Sequence, residues 1–180
     1  MTPVTQTRRP EAARRAPWRL RGRTRKTVLI LHILAAGIWI GVDVIVAVLV
    51  LTGWFSGSQA TRGLAYQALG TFVVWPMLVS GLVSLVTGVI LGLGSKYGLI
   101  RYWWVAVKLL LNVVLCTLIL VALQPGLGDV AQYGRALAAG TAAERDVSDL
   151  FFPPIVSLSA LTFATILSVA KPWGRLRNRS

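Results

Sequence analysis

Long apolar runs, separated by short polar or basic stretches, set the pattern of this chain. Four of them, at about 27–52, 70–94, 102–123 and 152–170, have the length of roughly twenty residues that crosses a bilayer as a helix. The second run belongs to a longer helical stretch from Leu64 to Gly94. Pro76 is the expected kink there, with Tyr66 and Gln67 at the outer interface. Tyr102-Trp103-Trp104 opens the third run as an aromatic belt, and Pro153-Pro154 suits the first turn of the fourth helix. Residues 124–149 are expected to form the longest loop, on the outer side. In it Asp129 can N-cap a short helix, and Thr141 and Glu144 have capping-box spacing. The expected fold is an all-α integral membrane protein. It is a four-transmembrane-helix bundle over 27–171, between a basic disordered tail at 1–26 and a basic tail at 172–180.

Composition agrees. Of 180 residues 55% are hydrophobic and 14% charged, against about 25% charged in a soluble domain. The net charge of +13 raises nucleic acid as a partner, but its placement argues for the membrane. Nine of the nineteen basic residues lie between Arg8 and Lys26, and Lys171, Arg175, Arg177 and Arg179 follow the last apolar run. Basic blocks abutting spans act as topology signals and meet anionic lipid headgroups; nucleic-acid binding would need basic residues interleaved with aromatics on a folded surface. Lys96 and Arg101 fall on the same side as both tails. The outer segments hold Arg62, Arg135 and Arg145 beside Asp129, Glu144, Asp146 and Asp149. Both termini are therefore expected in the cytoplasm, with the bundle in a bacterial cytoplasmic (inner) membrane. The bacterial source rests on Arg outnumbering Lys fifteen to four, as a GC-rich genome produces. Cys116 is the only cysteine, so no intramolecular disulfide forms.

Small residues mark packing faces. Ser80, Ser84, Gly88 and Gly92 recur every fourth position in the second span, and Ala160, Ala164 and Ser168 do so in the fourth. Such stripes let helices approach where no hydrophobic effect drives them together. Gly37 and Gly41 form a GxxxG roughly opposite His32 and Asp43, which predicts a tightly packed face there.

Four polar groups inside the spans call for partners or a cavity: His32, Asp43, Lys108 and Asn112. His32 and Asp43 return to nearly one helix face but stand about 16 Å apart along the axis, so they cannot share a hydrogen bond. Ala35, Ala36 and Trp39 lie between them. Lys108 and Asn112 are an i, i+4 pair at the depth of His32, where Lys108 either faces the histidine or snorkels to the interface. Asp43 lies within reach of Arg62, Tyr66 or Gln67. It is either a partnered structural carboxylate or a proton- or ion-handling one. No hydrolase, P-loop or metalloprotease motif occurs, so a non-enzymatic role is expected.

The segment Leu31-His32-Ile33-Leu34-Ala35-Ala36-Gly37-Ile38-Trp39-Ile40-Gly41 resembles the LHxxxxxxWxG first helix of the copper-resistance D type membrane proteins. The membrane protoporphyrinogen oxidase group and related four-helix bacterial proteins share a similar opening. The stretch from Gly88 to Lys108, with Lys96-Tyr97-Gly98 and Arg101-Tyr102-Trp103-Trp104, is most similar to the four-helix proteins. The resemblance implies b-type haem with His32 as axial metal ligand. The porphyrin would lie over Ala35, Ala36 and Trp39, with Lys108 and Asn112 nearby. This chain has no second histidine, so a six-coordinate centre would need a homodimer or larger complex. Three functions stay open at this point: haem handling or redox work, proton, ion or small-solute transport through Asp43 and Lys108, and a non-catalytic accessory or scaffold role.

Overall fold

A computed structural model of the protein describes residues 21–94, 102–143 and 145–170. These residues form α1 (Gly22–Phe55), α2 (Gln59–Phe72), α3 (Val74–Leu93), α4 (Trp103–Leu118), α5 (Gln124–Ala138) and α6 (Phe152–Ala170). A π-turn at Ile119–Leu123 joins α4 to α5, and a 3-10 turn at Ser148–Phe151 leads into α6. Four helical segments are long and apolar enough to cross a membrane: Gly22–Phe55, Val74–Leu93, Trp103–Ala138 and Ser148–Ala170. The fourth predicted span coincides with α6. The first begins earlier than expected, because residues 22–26 of the basic tail are already helical. Lys96, Arg101, Glu144 and the C-terminal basic residues lie outside the described residues.

Two stretches depart from the sequence reading. The second span was expected to bend at Pro76, but the chain breaks at Val73 into α2 and α3. Proline has no N–H, so the carbonyl of Phe72, four residues back, has no helical donor, and the break falls one turn before the ring. The predicted loop at 124–149 is helical over its first half. Pro125 interrupts the ladder in the same way, yet here the π-turn just before it carries the helix through into α5. Asp129 accordingly sits inside α5 and caps nothing. Thr141 closes α5 instead of opening a helix. Gly140 takes φ 69°, while Thr141 N donates to Ala136 O at 2.9 Å and Gly140 N to Leu137 O at 3.1 Å. This is the glycine-dependent arrangement that satisfies a helix's last carbonyls.

The spans alternate in direction, so the first and last described residues share one end of the bundle, the tail end. α2, α5 and the 3-10 turn form the other, the cap end. The core is apolar, but many large apolar side chains also lie outside it and several polar groups lie within. Phe72, Trp75, Val121 and Val169 are largely exposed, whereas Asp43, Ser80, Ser84, Thr87 and Ser157 are buried. Such an outer surface would suit lipid, with polar groups turned inward.

The α3 stripe packs as expected. A Cβ placed at Gly81 would lie 3.0 Å from the Trp39 ring, and one at Gly88 would lie 3.3 Å from His32. The GxxxG of α1 does not pack. Gly37 and Gly41 are exposed, with nothing within 4 Å of a Cβ at either. α1 has one seam, along Ala35, Trp39, Asp43, Val46 and Val50, and α3 follows the large residues of that face rather than the glycines opposite. The most extensive helix contact is that of α2 with α5. There a Cβ on Gly63 would come within 2.6 Å of Gly134 O, and one on Gly70 would collide with Leu127 O.

Candidate functional site

His32 is fixed by α3. Its Nδ1 lies 3.0 Å from Ser84 O and 3.0 Å from Thr87 Oγ1. A carbonyl can only accept, so Nδ1 carries the proton and donates. Thr87 sends its own hydrogen to Val83 O at 2.6 Å. The neutral ring therefore keeps its lone pair on Nε2. Ser84 and Gly88 read as packing residues in the sequence; Ser84 also anchors the histidine through its backbone. No sequence signal marks such a bond, because any residue at position 84 has the carbonyl.

His32 lines a cavity of about 140 Å³ with Ala36, Lys108, Asn112, Ala164 and Ser168 among its walls. His32 and Lys108, which the sequence placed at one depth, line the same cavity. Lys108 Nζ donates to Ser168 Oγ at 2.9 Å and stands 4.8 Å from the Trp104 ring centroid, so its cation is held inside the bundle by α6 and its own first turn. Asn112 Oδ1 lies 3.5 Å from the Cys116 thiol.

Asp43 is fully buried, and its partner is none of the three expected. Ser157 Oγ of α6 donates to Asp43 Oδ2 at 2.6 Å. Arg62 Nε instead donates to Gly53 O at 2.9 Å, and Gln67 Nε2 to Gly134 O at 3.3 Å. Tyr66 packs its ring over Gly53, and burial raises its phenol pKa. Ser157 extends the stripe of Ala160, Ala164 and Ser168 by one helical step, so the stripe was legible while the hydrogen bond was not. Asp43 Oδ1 and Trp39 Nε1 are buried and have no hydrogen-bond partner among the described residues.

Ser157 also lines a second, larger cavity of about 510 Å³ between the π-turn and α6. Leu115 belongs to the walls of both cavities. At the cap end a cleft of about 700 Å³ is lined by Trp54, Arg62, Tyr133, Arg145 and Asp146, among others. Arg145 belongs to both this cleft and the larger cavity. Leu115 thus stands in the wall between the first two spaces and Arg145 in that between the second and third.

Of the residues expected to hold a haem, His32, Ala36, Lys108 and Asn112 meet at one cavity. Ala35 and Trp39 are packed into helix contacts, with 4% and 0% exposure, so they offer no porphyrin face. A cavity of about 140 Å³ is near the size that holds a benzene; pockets for larger ligands run to roughly 300–1,000 Å³. A porphyrin does not fit within the single bundle. Among the described residues no group of three or more His, Cys, Asp or Glu side chains could hold a metal ion. The chain matches no family model, and comparison with curated proteins and solved structures finds no similar one.

Proposed function

We propose that this protein is a transport element that passes a proton or small polar solute through its four-helix bundle, with the cap end facing out of a bacterial cell and both tails in the cytoplasm. The observation that carries this reading is Asp43, a fully buried carboxyl with one oxygen unpartnered among the described residues, joined by Ser157 to the wall of the larger cavity. A carboxyl inside a membrane is costly, and most such groups serve an ion or proton pathway. Beyond Leu115 the next polar groups are His32, Asn112 and Lys108. Their cavity, at about 140 Å³, has room for several waters, and the free lone pair of His32 Nε2 can take up a proton there and return it to the same waters. The orientation follows from the basic residues.

The test is flux in proteoliposomes. Wild-type protein should dissipate an imposed pH gradient, or release a trapped small solute, faster than empty liposomes. Asp43→Asn should abolish most of that rate while the variant purifies and melts like wild type. Equal rates in the two would sink the reading. Colourless, flux-inactive protein that copurifies with another membrane subunit would favour the scaffold role, and a Soret band lost in His32→Ala would restore haem. For orientation, cysteine at Ala139 on a Cys116→Ala background should react with an impermeant reagent in intact cells. Failure to react there, with reaction only after lysis, would invert the topology.

A further inference from the structure

We infer that the species exchanged at Asp43 is the proton alone, and that the Ser157 hydroxyl relays it between the carboxyl and water in the larger cavity. This deepens the transport reading, on which it rests for the use to which the proton is put. Asp43 is fully buried and lines none of the three spaces. Among the described residues its one hydrogen-bonded link to them is Ser157 Oγ, 2.6 Å from Asp43 Oδ2. Ser157 itself stands in the wall of the larger cavity. Whatever passes between that cavity and the carboxyl must travel along this hydrogen bond, and only a proton does.

The surroundings of Asp43 argue against the other cargoes. A hard metal cation takes roughly six or more oxygen ligands. Asp43 supplies two and Ser157 one, and no group of three or more His, Cys, Asp or Glu gathers among the described residues. The next polar atom on the seam is Trp39 Nε1, one turn away, which is a donor and repels a cation. A solute would need exposed surface, and both Asp43 and Trp39 have none. The charged and titratable groups of neighbouring elements are engaged elsewhere: His32 with Ser84, Lys108 with Ser168, Arg62 with Gly53 and Arg145 with Asp129. Asp149 stands in the wall of the larger cavity. A buried carboxylate that no cation pairs is neutralised by taking up a proton.

The larger cavity can bring water to Ser157. Its other polar side chains, Arg145 and Asp149, are exposed, so water enters beside them. In the loading step a hydronium ion in the cavity gives a proton to Ser157 Oγ while the Ser157 hydroxyl proton passes to Asp43 Oδ2. The hydronium is left as water, the serine remains a neutral hydroxyl with its new O–H turned to the cavity, and the carboxylate becomes a carboxyl. The hydrogen bond persists with Asp43 as donor, and unloading is the reverse. The separation of 2.6 Å lies in the range of roughly 2.5–2.7 Å for a hydroxyl on a carboxylate.

Infrared spectroscopy of the purified full-length protein in detergent reads this carboxyl directly. Wild type should gain, on acidification, a carboxylic C=O band that Asp43→Asn lacks, and transfer to D2O should shift that band. Ser157→Ala should slow the shift about a hundredfold, the lower end of what a positioned proton donor contributes, and Ser157→Thr, which keeps a hydroxyl, should restore most of the rate. Ala122→Trp, which fills the cavity, should slow it with the relay intact. Amide exchange in the same spectra should match wild type, which separates a lost relay from a lost fold. The titration should be the same in sodium, potassium and choline chloride. No such band at any pH at which the protein stays folded, a titration moved by sodium or potassium, or unchanged exchange in both Ser157→Ala and Ala122→Trp would overturn the inference. A working relay with no flux in proteoliposomes would leave it standing and remove the transport reading alone. Release of a trapped solute with the pH gradient intact would keep transport and remove the proton as its cargo.

Discussion

The α1–α3 seam and the α2–α5 pair are both close helix contacts, made in opposite ways. In the seam, large side chains of α1 lie over small residues of α3. Trp39 covers Gly81, His32 covers Gly88, and the imidazole is tied to the Ser84 backbone. In the cap, backbone meets backbone, with Gly63 against Gly134 and Gly70 against Leu127. The seam's contacts run through side chains, which can yield a little. The cap has no such slack, because neither carbonyls nor amides can move without breaking their own helices.

The largest effect is expected in the cap. A Cβ at Gly134 would sit 2.7 Å from both Gln67 N and Gly63 O, so even Gly134→Ala forces α2 and α5 apart. Overpacking of this kind costs about 1–3 kcal/mol and sometimes more. It should show as a clear drop in melting temperature in detergent, and an unchanged melt would contradict the backbone contact. A smaller effect is expected in the seam, where the Cβ of Gly88→Ala meets only the edge of His32 at 3.3 Å. That variant should be nearly neutral, while Gly88→Leu should destabilise by about 1–3 kcal/mol and Gly37→Leu, on the open face of α1, should not. Equal losses for the two leucine variants would mean that the GxxxG face is packed after all.

His32→Ala should cost about 1 kcal/mol for one net hydrogen bond, that from Nδ1 to Ser84 O. His32→Asn, able to donate to the same carbonyl, should recover part of it. A loss several times larger, unrecovered by asparagine, would show that the ring holds the bundle together by more than this bond.

Much of this architecture could be read from residue order. The four apolar runs, the α3 stripe and the shared depth of His32 and Lys108 follow from counting at 1.5 Å per residue. The amphipathic α5 was hidden by Pro125 and two nearby glycines, which read as loop until the π-turn carries the helix past them. The GxxxG of α1 misled because small residues permit close approach without compelling it.

By itself, then, the sequence determined that four helices are long and apolar enough to cross a membrane, and how far along each span its polar groups fall, because hydropathy and helical rise are local properties. Only the tertiary structure decided that Ser157 meets Asp43, that the Ser84 carbonyl holds His32, and that Arg145 stands between a polar cleft and an apolar cavity. Those contacts join residues 114, 52 and 16 positions apart, the last being Arg145 to Asp129. They depend on how each helix is rotated about its axis, which is set by packing against its neighbours and not by its own composition.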